Sequence, residues 1–107
     1  MFELIVYQQA TGQRPFEKWL TGLRDKEARA RIVKRMRQIQ KGTLGDWKPV
    51  GEGVLEIRID VGAGYRIYCG RHGDTLVILL CGGDKASQAK DIERSREFWA
   101  DWRARRQ

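Results

Sequence analysis

Two arginines on neighbouring segments of the chain have the type and spacing needed to bind an anion between them. Arg58 lies in VLEIRID and Arg66 lies in YRIYCGR, on either side of a short glycine-containing linker. Each guanidinium makes charge-assisted hydrogen bonds, so two of them on one face of a sheet would hold a phosphate group. In the alternative, Glu56 and Asp60 neutralise both arginines on an exposed face. The net charge of +7 favours the anion site.

A third cation, Lys85, follows the most apolar segment of the chain, TLVILLC. The sequence GGDK comes directly after that segment, where we expect the last helix to begin. Backbone N–H groups at a helix N-terminus, together with the helix dipole, favour an anion. The two glycines either let the backbone approach a ligand closely or only permit a tight turn.

The two arginine segments must pair as a β-hairpin for the arginines to meet. Their apolar positions define one face of that hairpin: Leu55, Ile57, Ile59, Tyr65, Ile67 and Cys69. Directly opposed residues of an antiparallel pair point to the same side, so the VGAG loop needs an odd length or a glycine bulge. The resulting register predicts Arg58 opposite Arg66 and Glu56 opposite Tyr68.

The remaining elements follow from periodicity and turn residues. FELIVYQ predicts a first strand, RPFEKWLTGL predicts a helix, and a second helix starts at about Lys26 and ends before Gly42. KGTLGDWKPVGEG is predicted to be a loop because it is rich in glycine. TLVILLC is apolar throughout, which indicates a central strand covered on both faces. The last helix begins at about Ser87, and its predicted buried residues are Ala89, Ile92, Trp99 and Trp102.

The pattern predicts the order β-α-α-β-β-β-α in one domain spanning residues 1–107, with an α+β fold and an antiparallel-rich sheet. The longest apolar run is too short for a bilayer span, and the N-terminus lacks signal-peptide features, so we expect a cytoplasmic protein that does not contact a membrane. Cys69 and Cys81 lie at different heights of their hairpin, which predicts free thiols. Cysteine and histidine lack ligand spacing, so neither a metal nor another cofactor is predicted.

Basic residues are concentrated in two parts of the chain. Ten of the 21 lie in residues 14–41, and seven more lie between Lys85 and the C-terminus. A charge of this size attracts polyanions such as nucleic acid or an acidic protein. One face of the second predicted helix carries Arg29, Arg31, Lys34, Arg35 and Arg37. That face is either only solvated or lies against an acidic partner or an RNA backbone.

The runs GVLEIRIDVGAGYRIYCG and LLCGGDKASQAKDIERS, together with the element order, resemble the RelE/HigB-like toxins of bacterial toxin–antitoxin pairs. The resemblance covers nearly the whole chain and is greatest to the phage-derived Gp49-like branch, known as addiction-module killer proteins. It implies a RelE/ParE-like fold of the microbial RNase type and a metal-independent endoribonuclease that cleaves mRNA on the ribosome and inhibits translation. It also implies a cognate antitoxin. We expect an adjacently encoded helix-turn-helix protein, with operator DNA contacted only through the complex.

The resemblance also assigns roles to individual residues. Arg58 and Arg66 would stabilise charge on the phosphorane, Lys85 would position the phosphate, and Glu56 would act as the base. Residues expected to contact the RNA are Lys48, Tyr68 and Gln88. The chain departs from RelE, which has lysine at the position of Glu56 and tyrosine at that of Ile92, and from HigB, whose site histidines have no counterpart here.

Two other functions are compatible with the same pattern. A toxin of the related ParE branch would poison DNA gyrase by protein contact and would need no nuclease site. A purely binding module would use its basic helices to hold an acidic antitoxin or DNA, without catalysis.

Overall fold

The computed structural model describes residues 1–106, which form five strands and three helices of an α+β fold. The elements in chain order are β1 (Glu3–Val6), α1 (Pro15–Gly22), α2 (Lys26–Gln40), β2 (Trp47–Pro49), β3 (Val54–Ile59), β4 (Tyr65–His72), β5 (Leu76–Gly83) and α3 (Gln88–Arg105). None of these helices has both the length and the apolar character that crossing a bilayer requires.

All five strands belong to one sheet in the order β1-β5-β4-β3-β2. Strand β1 pairs in parallel with β5, and the other neighbouring pairs are antiparallel. Strand β5 therefore lies inside the sheet with both faces buried, as its continuous apolar run predicts. The loop prediction was wrong for β2, which pairs with β3 at the sheet edge. A three-residue edge strand tolerates its proline and leaves no alternating pattern to detect.

The β3–β4 hairpin has the register that alternation predicts. Arg58 pairs with Arg66, and Glu56 pairs with Tyr68. The loop of residues 60–64 between the paired ends has an odd length, and Gly62 and Gly64 both have positive φ. The register therefore follows from the face on which the apolar residues lie together with a short loop of odd length.

The helices cover opposite faces of the sheet. Phe16 of α1 and Ile32 of α2 pack against the apolar face of the hairpin, whereas Trp99 of α3 packs with Tyr68 on the other face. The burial predicted for α3 was partly wrong, because Ala89 is exposed. The buried residues of α3 recur at intervals of four, and they are Asp91, Ser95 and Trp99. Two of these three are polar, so hydrophobic periodicity could not identify the buried face.

The two glycines at the end of β5 make room for side chains on both faces of the sheet. A Cβ added to Gly82 would overlap the indole of Trp19, and one added to Gly83 would overlap the carboxylate of Asp91. Neither glycine has positive φ. Close packing within the chain therefore accounts for both glycines, in place of the ligand approach or tight turn considered from the sequence.

We expect Gly83→Ala to lower the free energy of unfolding by about 2–3 kcal/mol, because a methyl group forced into this contact overpacks the interface between β5 and α3. Urea denaturation followed by circular dichroism measures the change. Gly22→Ala is the control, because a Cβ at this position meets no heavy atom within 4 Å. This substitution should stabilise α1 by up to about 1 kcal/mol. Equal stability of Gly83→Ala and the unmodified chain would contradict this account of β5.

Both cysteines are free, as predicted, and belong to apolar clusters on opposite faces of the sheet. Burial raises the pKa of the Cys69 thiol to about 12 and that of the Cys81 thiol to about 12. Neither thiol is therefore ionised at neutral pH, and neither is suited to act as a nucleophile.

Candidate active site

The carboxylate of Glu56, which is 0% exposed, is the centre of a polar cluster on the α3 face of the sheet. Its Oε2 accepts hydrogen bonds from the Tyr68 hydroxyl at 3.0 Å and from the Gln88 side-chain amide at 2.9 Å. The Arg66 Nε lies 3.7 Å from Oε2, and the Lys48 Nζ lies 3.8 Å from Oε1. Strands β2, β3 and β4 and helix α3 thus bring five of the seven predicted site residues together.

Two buried polar atoms of this cluster have no hydrogen-bond partner within residues 1–106, namely Oε1 of Glu56 and Nε of Arg66. The Arg66 guanidinium donates instead through Nη1 to the carbonyl oxygen of Gly64 at 2.8 Å. An unsatisfied buried polar group is unfavourable by about 1–3 kcal/mol. Groups of this kind are typical of sites where a ligand or a water completes the hydrogen bonding.

Tyr68 is completely buried and contacts the Glu56 carboxylate directly. Burial, followed by the negative charge of Glu56, raises the pKa of the Tyr68 hydroxyl well above its ordinary value. The hydroxyl therefore stays protonated and remains a hydrogen-bond donor to Glu56. The hydroxyl points to the Glu56 carboxylate and not to solvent. Nothing in this geometry bears out contact of Tyr68 with RNA, which stays a prediction.

An open cleft of about 330 Å³, here called the arginine cleft, lies beside the Glu56 cluster. Its lining residues are Asp46, Arg58, Ile59, Asp60, Gly64, Tyr65, Arg66 and Lys85. Three of the four predicted catalytic residues therefore share one cavity. The fourth, Glu56, does not line the cleft but pairs with Arg66, which does.

Arg58 lies at the mouth of this cleft and is held by Asp46, which sequence reasoning did not single out. The Nε of Arg58 is 3.3 Å from Oδ2 of Asp46. On the backbone side, the guanidinium of Arg35 donates to the carbonyl oxygen of Arg58 at 3.0 Å. Asp46 lies in the glycine-rich segment that the sequence predicts to be a loop. The pairing of β2 with β3 is what brings Asp46 next to Arg58.

The alternative in which Glu56 and Asp60 neutralise the two arginines is correct for Arg66 and wrong for Arg58. Glu56 pairs with Arg66, but Arg58 pairs with Asp46, and Asp60 has no lysine or arginine nitrogen within 4.0 Å in the described part of the chain. Asp60 is exposed and lines the arginine cleft. The cleft thus contains one carboxylate that is accessible and is not held by a cation.

Lys85 lines the cleft from the turn between β5 and α3. Its backbone N–H donates to the carbonyl oxygen of Ala63 at 3.3 Å, which ties this turn to the hairpin loop. At the N-terminus of α3, where the sequence predicts an anion site, two of the protein's own carboxylates lie near Ser87, and binding of a further anion there stays a prediction. The Ser87 hydroxyl donates to Asp91 at 2.5 Å, and the Ser87 N–H donates to Asp84 at 3.2 Å. Carboxylates complement the helix dipole there, and the cations that line the arginine cleft are Arg58, Arg66 and Lys85.

A second basic cavity of about 300 Å³, here called the α2 cleft, adjoins the first. It is lined by Arg31, Lys34, Arg35, Gln38 and Ile59, and Ile59 also lines the arginine cleft. The basic face of α2 that the sequence predicts therefore continues into the arginine cleft. Among residues 1–106, no group of three or more histidine, cysteine or acidic side chains is arranged to hold a metal ion.

Two comparisons with known proteins bear on this site. Residues 18–97 match a protein-family model described as "Phage derived protein Gp49-like". That range includes all seven predicted site residues. A curated protein of Haemophilus influenzae, whose printed name is "Uncharacterized protein", is 47% identical over 81 residues, which cover 76% of this chain and 82% of that protein.

Proposed function

Because the chain belongs to the Gp49-like family, a family of addiction-module toxins, we propose that it is a toxin that cleaves mRNA on the ribosome and so inhibits translation. Membership of this family implies a cognate antitoxin. The observation that carries the nuclease proposal is the convergence of Arg58, Arg66 and Lys85 on one open cleft. Ribosome dependence and a RelE-like fold rest on the resemblance in the hairpin and in the GGDK segment.

In the proposed reaction the 2′-hydroxyl of the RNA attacks the adjacent phosphorus. The bond from phosphorus to the 5′ oxygen breaks, and a proton reaches that departing oxygen. Negative charge accumulates on the phosphorane oxygens, where a fixed cation is most effective in a partly desolvated site. Arg58 and Arg66 stabilise this charge from two strands, and Lys85 positions the phosphate from the turn before α3.

We assign Glu56 a positioning role in place of the base role expected from the resemblance. Its carboxylate is buried, accepts two hydrogen bonds at Oε2 and does not line the cleft, so it holds Arg66 and Lys48 in place. A general base must lie within hydrogen-bond reach of the proton it removes. Asp60 is the accessible carboxylate of the cleft that no lysine or arginine among residues 1–106 holds, and we propose it as the proton acceptor.

Incubation of the purified chain with a defined mRNA, with and without ribosomes, tests the proposal. We expect cleavage only with ribosomes, leaving 2′,3′-cyclic phosphate and 5′-hydroxyl ends, because the nucleophile is the 2′ oxygen of the RNA. Asp60→Asn should lower the cleavage rate about 10²-fold or more. Asp74→Asn, which alters a fully exposed carboxylate in the β4–β5 turn, should leave the rate unchanged.

Each alternative gives a different result in the same experiment. Ends bearing a 3′-hydroxyl and a 5′-phosphate would indicate attack by water and contradict the mechanism. Inhibition of DNA supercoiling without mRNA cleavage would identify a toxin directed at gyrase. Binding of RNA or antitoxin with neither activity would identify a non-catalytic module.

A further inference from the structure

A cavity larger than the arginine cleft, about 480 Å³ and here called the α1 cleft, lies between α1, β5 and α3. Pro15, Trp19 and Leu23 give it an apolar surface, and Lys18 and Arg94 are its charged residues. Its lining contains no carboxylate, although 14 of the 107 residues are acidic. The cleft is therefore an apolar groove flanked by positive charge.

Gly22, at the end of α1, also lines this cleft and is the one glycine that the chain's own structure does not require. Of the twelve glycines, eight have positive φ, and three others would place a Cβ inside a neighbouring side chain. Gly22 has neither property, and a Cβ there meets nothing within 4 Å. Glycine in a helix is unfavourable by roughly 0.5–1 kcal/mol relative to alanine, so close approach of another molecule is a physical reason for it here.

We propose that the α1 cleft binds an acidic, amphipathic segment of the cognate antitoxin. The proposal rests on family membership, which implies that partner, and not on the ribonuclease activity. An amphipathic segment would place apolar side chains on Trp19 and Leu23 and carboxylates near Lys18 and Arg94. RNA fits this cleft less well, because a protein binds the phosphate backbone of RNA with several closely spaced cations. The α2 cleft has such a series of cations in its lining.

The α1 cleft also has a direct structural connection to the arginine cleft. The Trp19 ring lies against the ring of Tyr65, with centroids 6.3 Å apart, and Tyr65 lines the arginine cleft. Trp19 also packs against Gly82, whose neighbour Gly83 pairs with Arg66. An antitoxin segment bound to Trp19 is thus one side chain away from the catalytic surface and need not cover it.

Gly22→Leu tests the proposal by placing a larger apolar side chain in the cleft from a position where an added Cβ meets no heavy atom within 4 Å. The purified chain is titrated by calorimetry with the purified product of the adjacent reading frame. We expect Gly22→Leu to weaken binding at least about 30-fold, as for a central interface position. Thr21→Leu introduces the same side chain at the preceding exposed residue of α1, outside the cleft, and should bind within about twofold of the unmodified chain.

A charge variant provides a second measurement that does not depend on the packing of α1. Gln13→Glu combined with Lys18→Glu reverses the sign of the cleft rim and should slow association about tenfold at low salt. Lys26→Glu combined with Gln40→Glu changes the net charge equally on exposed positions of α2 and should have a smaller effect.

Unchanged binding by Gly22→Leu, or no binding of the adjacent product to the unmodified chain, would overturn the proposal. All four variants should cleave mRNA like the unmodified chain when antitoxin is absent. If the binding results agree with the proposal but neither the unmodified chain nor any variant cleaves mRNA, the proposed ribonuclease activity is wrong and the docking site is still supported.

Discussion

Arg66→Ala is expected to lower the rate of ribosome-dependent mRNA cleavage by about 10²–10³-fold, the loss typical of a group that stabilises transition-state charge. The guanidinium is nearly buried, faces the arginine cleft and is held by Glu56 and by the carbonyl oxygen of Gly64. It is therefore fixed before a substrate arrives. Single-turnover cleavage of a defined mRNA on purified ribosomes measures the effect.

Two further variants separate the contribution of the guanidinium shape of Arg66 from that of its charge, and from the effect of removing any basic residue from this strand. Arg66→Lys keeps the charge but loses the planar set of donors, so we expect an intermediate loss of about 10-fold or more. Arg71→Ala removes an exposed arginine from the same strand, outside the cleft, and should change the rate less than about twofold. If Arg66→Ala cleaves as fast as Arg71→Ala, the assignment of Arg66 is wrong.

Glu56→Ala is expected to lower the free energy of unfolding by about 3–5 kcal/mol, because it leaves the buried Arg66 without its counter-charge. The Tyr68 hydroxyl and the Gln88 amide would lose their acceptor at the same time. Urea denaturation gives the change in free energy, with Glu93→Ala, an exposed residue of α3, as a control expected within about 0.5 kcal/mol.

Glu56→Gln distinguishes the positioning role of this residue from direct proton transfer. The amide keeps the shape and one acceptor oxygen, so most of the stability should return, while Arg66 loses its ionic partner. We expect cleavage to fall about 10-fold, with the same dependence of the rate on pH as in the unmodified chain. Loss of one limb of the pH–rate profile in Glu56→Gln would show that Glu56 itself transfers the proton.

The sequence by itself determined the hairpin that carries the two arginines. Alternation of apolar residues in β3 and β4 requires a loop of odd length, and the short loop that Gly62 and Gly64 permit pairs Arg58 with Arg66. Likewise, the continuous apolar run of β5 predicted that this strand lies inside the sheet with both faces covered. These features depend on residues close in sequence, whose pattern is visible without knowledge of the rest of the fold.

Only the tertiary structure decided which predicted residues line the open cleft. Glu56 and Arg58 lie on the same side of β3, yet Glu56 is buried, because Gln88, 32 residues away, and Lys48 of the unpredicted β2 close over it. Asp91 of α3 is another buried carboxylate, and it packs against Gly83 of β5. Polar side chains buried by distant partners leave no periodic signal in the sequence, since their burial depends on a specific hydrogen bond and not on hydrophobicity.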